Sequence, residues 1–167
     1  MTNARPDSDS FTEMLRSRIE KWLVDEGWQL ELRDASGTSW NFVATDSNRR
    51  VVNIRLRLGK LDQVSLMGSV VLTPQDQRQL ERLPESERNA FLWDLRFDVI
   101  RLGLDFMGID FPLRRISVMQ ELYFDGGLSK DTFMQRLAQV RRGVALIQFH
   151  FWSRFGNLQL AGDSIEE

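Results

Sequence analysis

Residues 28–58 read WQLELRDASGTSWNFVATDSNRRVVNIRLRL, and the period of this stretch decides the fold. Trp28, Leu30 and Leu32 alternate with Gln29, Glu31 and Arg33. Trp40, Phe42 and Ala44 resume the alternation after ASGT, and Val52, Ile54, Leu56 and Leu58 continue it after DSNR, set against Asn53, Arg55 and Arg57. A period of two with the apolar side chains on one side predicts strands with one buried and one wet face. The segments between them are short and carry the Gly, Asp, Asn and Ser of tight turns. Such short links make the strands antiparallel neighbours, because parallel ones need long crossovers. A fourth segment, QVSLMGSVVL at 63–72, follows a turn near Gly59 to Asp62 and offers Val64, Leu66, Val70 and Leu72 to one side.

Outside the meander the period changes to that of helices. Residues 1–9 are polar and are expected to form a disordered arm. Ser10 and Glu13 have the spacing of a capping box, and Phe11, Leu15, Ile19, Trp22 and Leu23 line one face of the helix that follows, up to Gly27. Thr73 caps a second helix with Pro74 at its first position, and Asp76 suits its positive end. Pro84 re-angles the chain into a longer helix, from Glu85 to about Phe106. Leu92, Leu95, Val99, Leu102 and Phe106 form one apolar stripe on it, and Trp93, Phe97, Ile100 and Leu104 a second. A helix apolar on two faces is packed on both, or packed on one with a partner on the other.

Leu113 to Phe124 reads as a last strand, bent near Gln120, and Ser129 caps a final helix. In that helix Phe133, Leu137, Val140, Val144, Ile147 and Phe151 recur at four-then-three spacing. Ile147, Phe149 and Phe151 also alternate with Gln148 and His150, so LIQFHFW has a rival reading as a strand; the longer pattern back to Phe133 favours helix. The expected fold is a single α+β domain over residues 10–156, followed by a flexible tail at 157–167. It has an antiparallel meander sheet of about five strands, packed on one face by an N-terminal helix, a middle helix pair and a long C-terminal helix.

Composition narrows the function. The 167 residues are 42% hydrophobic and 28% charged with a formal net charge of −2, so nothing in the balance favours polyanions. Cysteine is absent and histidine occurs once, which removes disulfides, thiol chemistry and sites built from several imidazoles. No basic start with an apolar segment behind it signals secretion, and the apolar run Val144 to Trp152 falls short of the roughly 20 residues of a membrane span. A cytoplasmic protein without membrane attachment is expected.

Candidate chemistry is sparse. No GxSxG elbow accompanies His150, and DGGLSKD lacks the spacing of a phosphate loop. Asp94 and Asp98 sit one turn apart, but Arg101 follows Asp98 by one turn and precedes Asp105 by one, the pattern of helical ion pairs. No catalytic residue, cofactor or metal is expected. Arg49, Arg50, Arg55, Arg57 and Lys60 form the best basic patch, an alternative site for an anionic ligand or nucleic acid. Glu31 and Asp62 oppose it and no stacking aromatics interleave, so nucleic acid is not an expected partner, and Arg141 with Arg142 stands apart.

The last helix, about 40 Å long at 1.5 Å per residue, exceeds what a domain of this size needs, and its C-terminal half is apolar nearly all round. It is either a central core helix or a seam for another chain; periodicity does not separate them. Trp93, Phe97, Ile100, Phe149 and Trp152 are the residues expected at an interface.

The element order, the opening IEKWLVDEGWQLEL and the passage FDGGLSKDTFMQRLAQV resemble the type III secretion chaperone-like fold over about residues 10–155. That resemblance implies a small, acidic, cytoplasmic, non-enzymatic protein, often a homodimer, that binds extended protein segments on an apolar surface. This chain departs from those chaperones in having four strands before the middle helices and one after.

Overall fold

The alternation of residues 28–58 becomes three antiparallel strands in the computed structural model, which describes residues 8–60, 62–123 and 127–156. The elements in order are α1 (Ser8–Asp25), β1 (Gln29–Leu32), β2 (Thr38–Thr45), β3 (Val51–Arg57), β4 (Gln63–Val71), α2 (Pro74–Arg82), α3 (Glu85–Arg101), β5 (Asp105–Met107), β6 (Arg115–Tyr123) and α4 (Lys130–Phe155). The strands form one antiparallel sheet in the order β1-β2-β3-β4-β6-β5, and the helices pack on it. Phe42 stands opposite Ile54 on one side and Leu32 on the other, so the apolar sets of three strands share a face as their period requires.

Two compact units divide the chain, and the division falls within β4, β6 and α4. The first comprises the described residues up to 66 with 121–136. Here α1 turns Leu15, Ile19 and Leu23 inward, all nearly inaccessible, and its Trp22 ring lies 5.8 Å from that of Phe133 at the start of α4. Gly27, at φ 78°, closes α1 as a left-handed C-terminal glycine. An ion pair of 2.6 Å from Lys130 to Glu26 adds a contact between the two helices.

The second unit comprises residues 67–120 and those from 137 onward. Thr73 and Asp76 form the capping box of α2: the Thr73 hydroxyl accepts from the Asp76 N–H, and the Asp76 carboxylate accepts from the Thr73 N–H. Thr73 and Pro74 thus play the parts read for them. α4 seats on β4 and β6 at two glycines: a Cβ on Gly68 would meet Val144 and Val140, and one on Gly143 would meet Leu104 and Val118. All six positions of the four-then-three pattern, Phe133 to Phe151, are buried, which makes LIQFHFW helix.

Several expectations need correction. The sheet has six strands, because the long helix stops at Arg101 rather than Phe106. Gly103 adopts φ 69°, turns the chain back, and places Phe106 in β5 opposite Val118. Helix α1 begins at Ser8, two residues before the expected cap at Ser10, and β6 opens at Arg115 rather than Leu113. Leu32, read as core, is 54% exposed because β1 is an edge strand.

The second sheet face is wet only in part: Asn41, Val43, Gln63, Ser65 and Ser117 are buried, whereas Asn53, Arg55 and Arg57 of β3 stay half-buried. Interior strands are flanked on both sides, and polar side chains here bond across strands, Ser65 Oγ to Glu121 at 2.6 Å and Ser69 Oγ to Ser117 Oγ at 2.8 Å. Most of the expected arm and the whole of the expected tail at 157–167 lie outside the described residues.

Candidate interaction surface on α3 and α4

The two longest inward-packed helices of the second unit, α3 and α4, meet along a mixed seam. The Phe91 ring stands nearly perpendicular to that of Phe151 at 5.2 Å between centroids, with Phe155 at 5.8 Å and the His150 ring at 6.2 Å. His150 Nε2 lies 2.8 Å from Asp98 Oδ2, and Arg154 pairs with Glu87. The imidazole bonded to Asp98, together with the Arg101 guanidinium, holds that carboxyl below the ordinary aspartate range against the opposing pull of partial burial. His150 is therefore a tie between helices 52 positions apart, a pairing with no signal in the sequence.

Around this seam each helix presents two apolar stripes with different fates. Leu92, Leu95 and Val99 of α3 are buried, as are Val144, Ile147 and Phe151 of α4. Trp93, Phe97, Ile100, Phe149 and Trp152 are each more than half exposed. At about 100° per residue, Phe97 and Phe149 stand roughly a quarter turn from the Asp98–His150 contact, on the side away from the buried stripes. Trp93, Ile100 and Trp152 lie farther round. All five residues expected at an interface are thus brought to the outer side of the helix pair. The Trp93 ring leans on Phe97 at 5.8 Å and carries the Arg96 guanidinium at 4.7 Å, which in turn bonds Asp110 at 2.9 Å. The stripe on α3 is therefore partly ordered without a partner.

The other candidate residues are dispersed. Asp98 pairs with Arg101 at 2.8 Å as the spacing suggested, whereas Asp105 belongs to β5 and takes no part. Asp94 lines a shallow cleft of about 360 Å³ with Glu87, Phe91 and Arg154, so the two carboxylates do not share a site. Among the described residues no group of His, Asp or Glu is arranged to hold a metal ion. None of the described helices is long and apolar enough to cross a membrane.

Arg55 and Arg57 share one face of β3, half-buried, with Arg57 3.6 Å from Glu121. Arg49 and Arg50 sit instead in the β2–β3 turn, where Asp46 Oδ1 accepts from the Asn48 and Arg50 N–H groups and Arg49 is held at φ 61°. β3 is about 20 Å long at 3.3 Å per residue, so the four arginines are split between its turn and its far end. Glu31, expected to oppose them, is instead committed to Arg33, with bonds of 2.8 Å from both Nε and Nη2 that lower its own pKa.

Comparison with known proteins bears on the fold more than on the surface. A crystal structure of an uncharacterized protein from Methanothermobacter thermautotrophicus is similar at 29% identity and a TM-score of 0.78, covering 84% of this chain and 99% of that one. The crystal structure of YbjN from E. coli is 13% identical with a TM-score of 0.47, covering 80% of this chain and 91% of that one. No curated protein matches. The model of an uncharacterized conserved protein family, DUF2299, matches residues 15–151, and the chain belongs to that family.

Proposed function

We propose that this protein is a non-catalytic protein-binding module, chaperone-like in its use of an apolar helix surface, that pairs with a second copy of itself through α3 and α4. The observation that carries the reading is the exposure of Trp93, Phe97, Ile100, Phe149 and Trp152 beside buried stripes on the same two helices. Trp and Phe anchors of this kind contribute most where they are desolvated by a partner, and a contiguous apolar surface is costly to leave in water. The resemblance to type III secretion chaperones points the same way, toward a dimer that also receives an extended protein segment.

Mass measurement in solution tests the pairing. The native species is expected at twice the 19.5 kDa of the chain, and Phe149→Gln with Trp152→Gln is expected to return it to a monomer. Because both side chains are exposed in the single chain, that double variant should stay folded as a monomer, losing the stability that subunit association contributes but little else. A strict monomer at high micromolar concentration removes the dimer, and a variant that unfolds shows the two residues to be core.

A further inference from the structure

We infer that the second copy of this chain docks through an antiparallel seam between the two α4 helices, with the twofold axis passing at Ala145. The inference rests on the proposed pairing and adds the element, direction and register of the contact. On the outer side of α4, Ala138, Arg142, Ala145, Phe149 and Trp152 recur at four-then-three spacing, and all five lie within the second unit. At about 100° per residue they fall within about 80° of one another, roughly opposite the buried stripe of Val140, Val144, Ile147 and Phe151. A seven-residue repeat of this kind suits two helices crossing at about 20°.

The outer stripe is graded in size, and the grading makes it complementary to itself. Ala138 and Ala145 are small and half-buried, whereas Phe149 and Trp152 at the other end are large and 63% and 59% exposed. Turned antiparallel about Ala145, the stripe sets the partner's Trp152 over Ala138 and the partner's Phe149 beside Arg142. Large side chains then meet small ones, as close packing requires. A parallel seam would set Trp152 against the partner's Trp152 and leave a gap between the two Ala138 positions. It would also lay the helix dipoles side by side in the same sense, where like ends repel. The antiparallel contact is isologous and closes on itself, so it stops at two copies.

The one charge in the stripe fits the same arrangement. Arg142 is exposed and has no partner among the described residues, and α4 holds no acidic residue after Asp131. The ring face of the partner's Phe149 supplies the electron-rich surface that a guanidinium prefers. Ala145 at the axis lets the helices approach closely. With axes about 8–10 Å apart and Cα atoms about 2.3 Å from each axis, the two Ala145 Cα atoms come within roughly 4–5 Å. The two Ala138 Cα atoms, by contrast, stand about 21 Å apart along the seam.

The chain has no cysteine, so single cysteines in the full chain report the seam directly. Under mild oxidation Ala145→Cys is expected to give a disulfide-linked dimer, since Cα atoms about 4.4–6.8 Å apart can be bridged, and Ala138→Cys is expected not to. An exchange of sizes gives a second measurement. Trp152→Ala and Ala138→Trp should each weaken association at least about thirtyfold, the first by losing an anchor and the second by a clash. The double variant, in which large and small change places, should regain at least about tenfold over the weaker single variant. A parent that is a strict monomer removes the pairing and the seam with it. If the parent is a dimer but a folded Ala145→Cys stays unlinked, or Ala138→Cys links equally well, the seam is refuted while the pairing stands. The seam is refuted in the same way if the double variant associates no better than either single one.

Discussion

An alanine at position 68 probes how α4 is seated on β4. A Cβ there falls 2.5 Å from Val144 Cγ2 and 3.2 Å from Val140 Cγ1, with Val118 Cγ2 at 3.9 Å. Carbon atoms in contact prefer about 3.5–4.0 Å, so Val144 must retreat by about 1 Å. Valine in a helix holds one χ1 rotamer roughly 90% of the time, and the displacement therefore falls on the helix backbone rather than on a swinging side chain. Overpacking of this kind costs about 1–3 kcal/mol, and removing glycine from a strand interior returns about 0.5–1 kcal/mol. The expected net loss is centred near about 1 kcal/mol, read as a lower urea midpoint at unchanged m and a Tm lower by roughly 2–4 °C.

Val144→Ala supplies the control. Alone it destabilises by the methyl groups it removes from a buried site, but in the double variant it makes room for the new Cβ. Gly68→Ala with Val144→Ala should therefore be more stable than the sum of the two single changes predicts, by about 1 kcal/mol. Additivity within about 0.5 kcal/mol, or a Gly68→Ala protein as stable as the parent, refutes the reasoning.

Other residues give further tests. Thr73→Ala removes the cap and half of the capping box of α2 and should cost about 1 kcal/mol in urea unfolding, whereas Thr73→Ser should cost little. Arg49→Gly relieves a left-handed residue at φ 61° and should leave stability unchanged or raise it by up to about 1 kcal/mol, while Arg50→Gly should not raise it. Asp98 is held below its ordinary pKa by His150 and Arg101, so its contribution to stability is full above the unfolded value near 4 and is lost as pH falls through the folded value. The stability difference between the parent and Asp98→Asn should accordingly be present at neutral pH and shrink at about pH 3; a difference independent of pH contradicts the assignment.

Much of this architecture was legible because it rests on local rules. The period of two in residues 28–58, the Thr73-Pro74 start and the four-then-three pattern of Phe133 to Phe151 each report which face of one element is apolar. The misreadings have local physical causes as well. Gly103 offered a C-terminal glycine that would have ended α3 at the observed place, and the apolar residues beyond it masked that signal. Leu32 obeyed the alternation and is exposed, because alternation does not say which strand lies at an edge. The five residues expected at an interface were legible as a second stripe on each helix; their common placement on the outer side of the pair was not.

What the sequence determined by itself was most of the element types, the antiparallel meander and the apolar stripes of each helix, since all three follow from side-chain spacing along one element. Tertiary structure alone decided what meets across elements. It paired Asp98 with His150, set Gly68 and Gly143 beneath and within α4, and divided the arginines of β3 from those of its turn. The reason is physical: periodicity encodes the direction of a side chain about its own axis, whereas distances between elements are set by how their surfaces interlock at close packing.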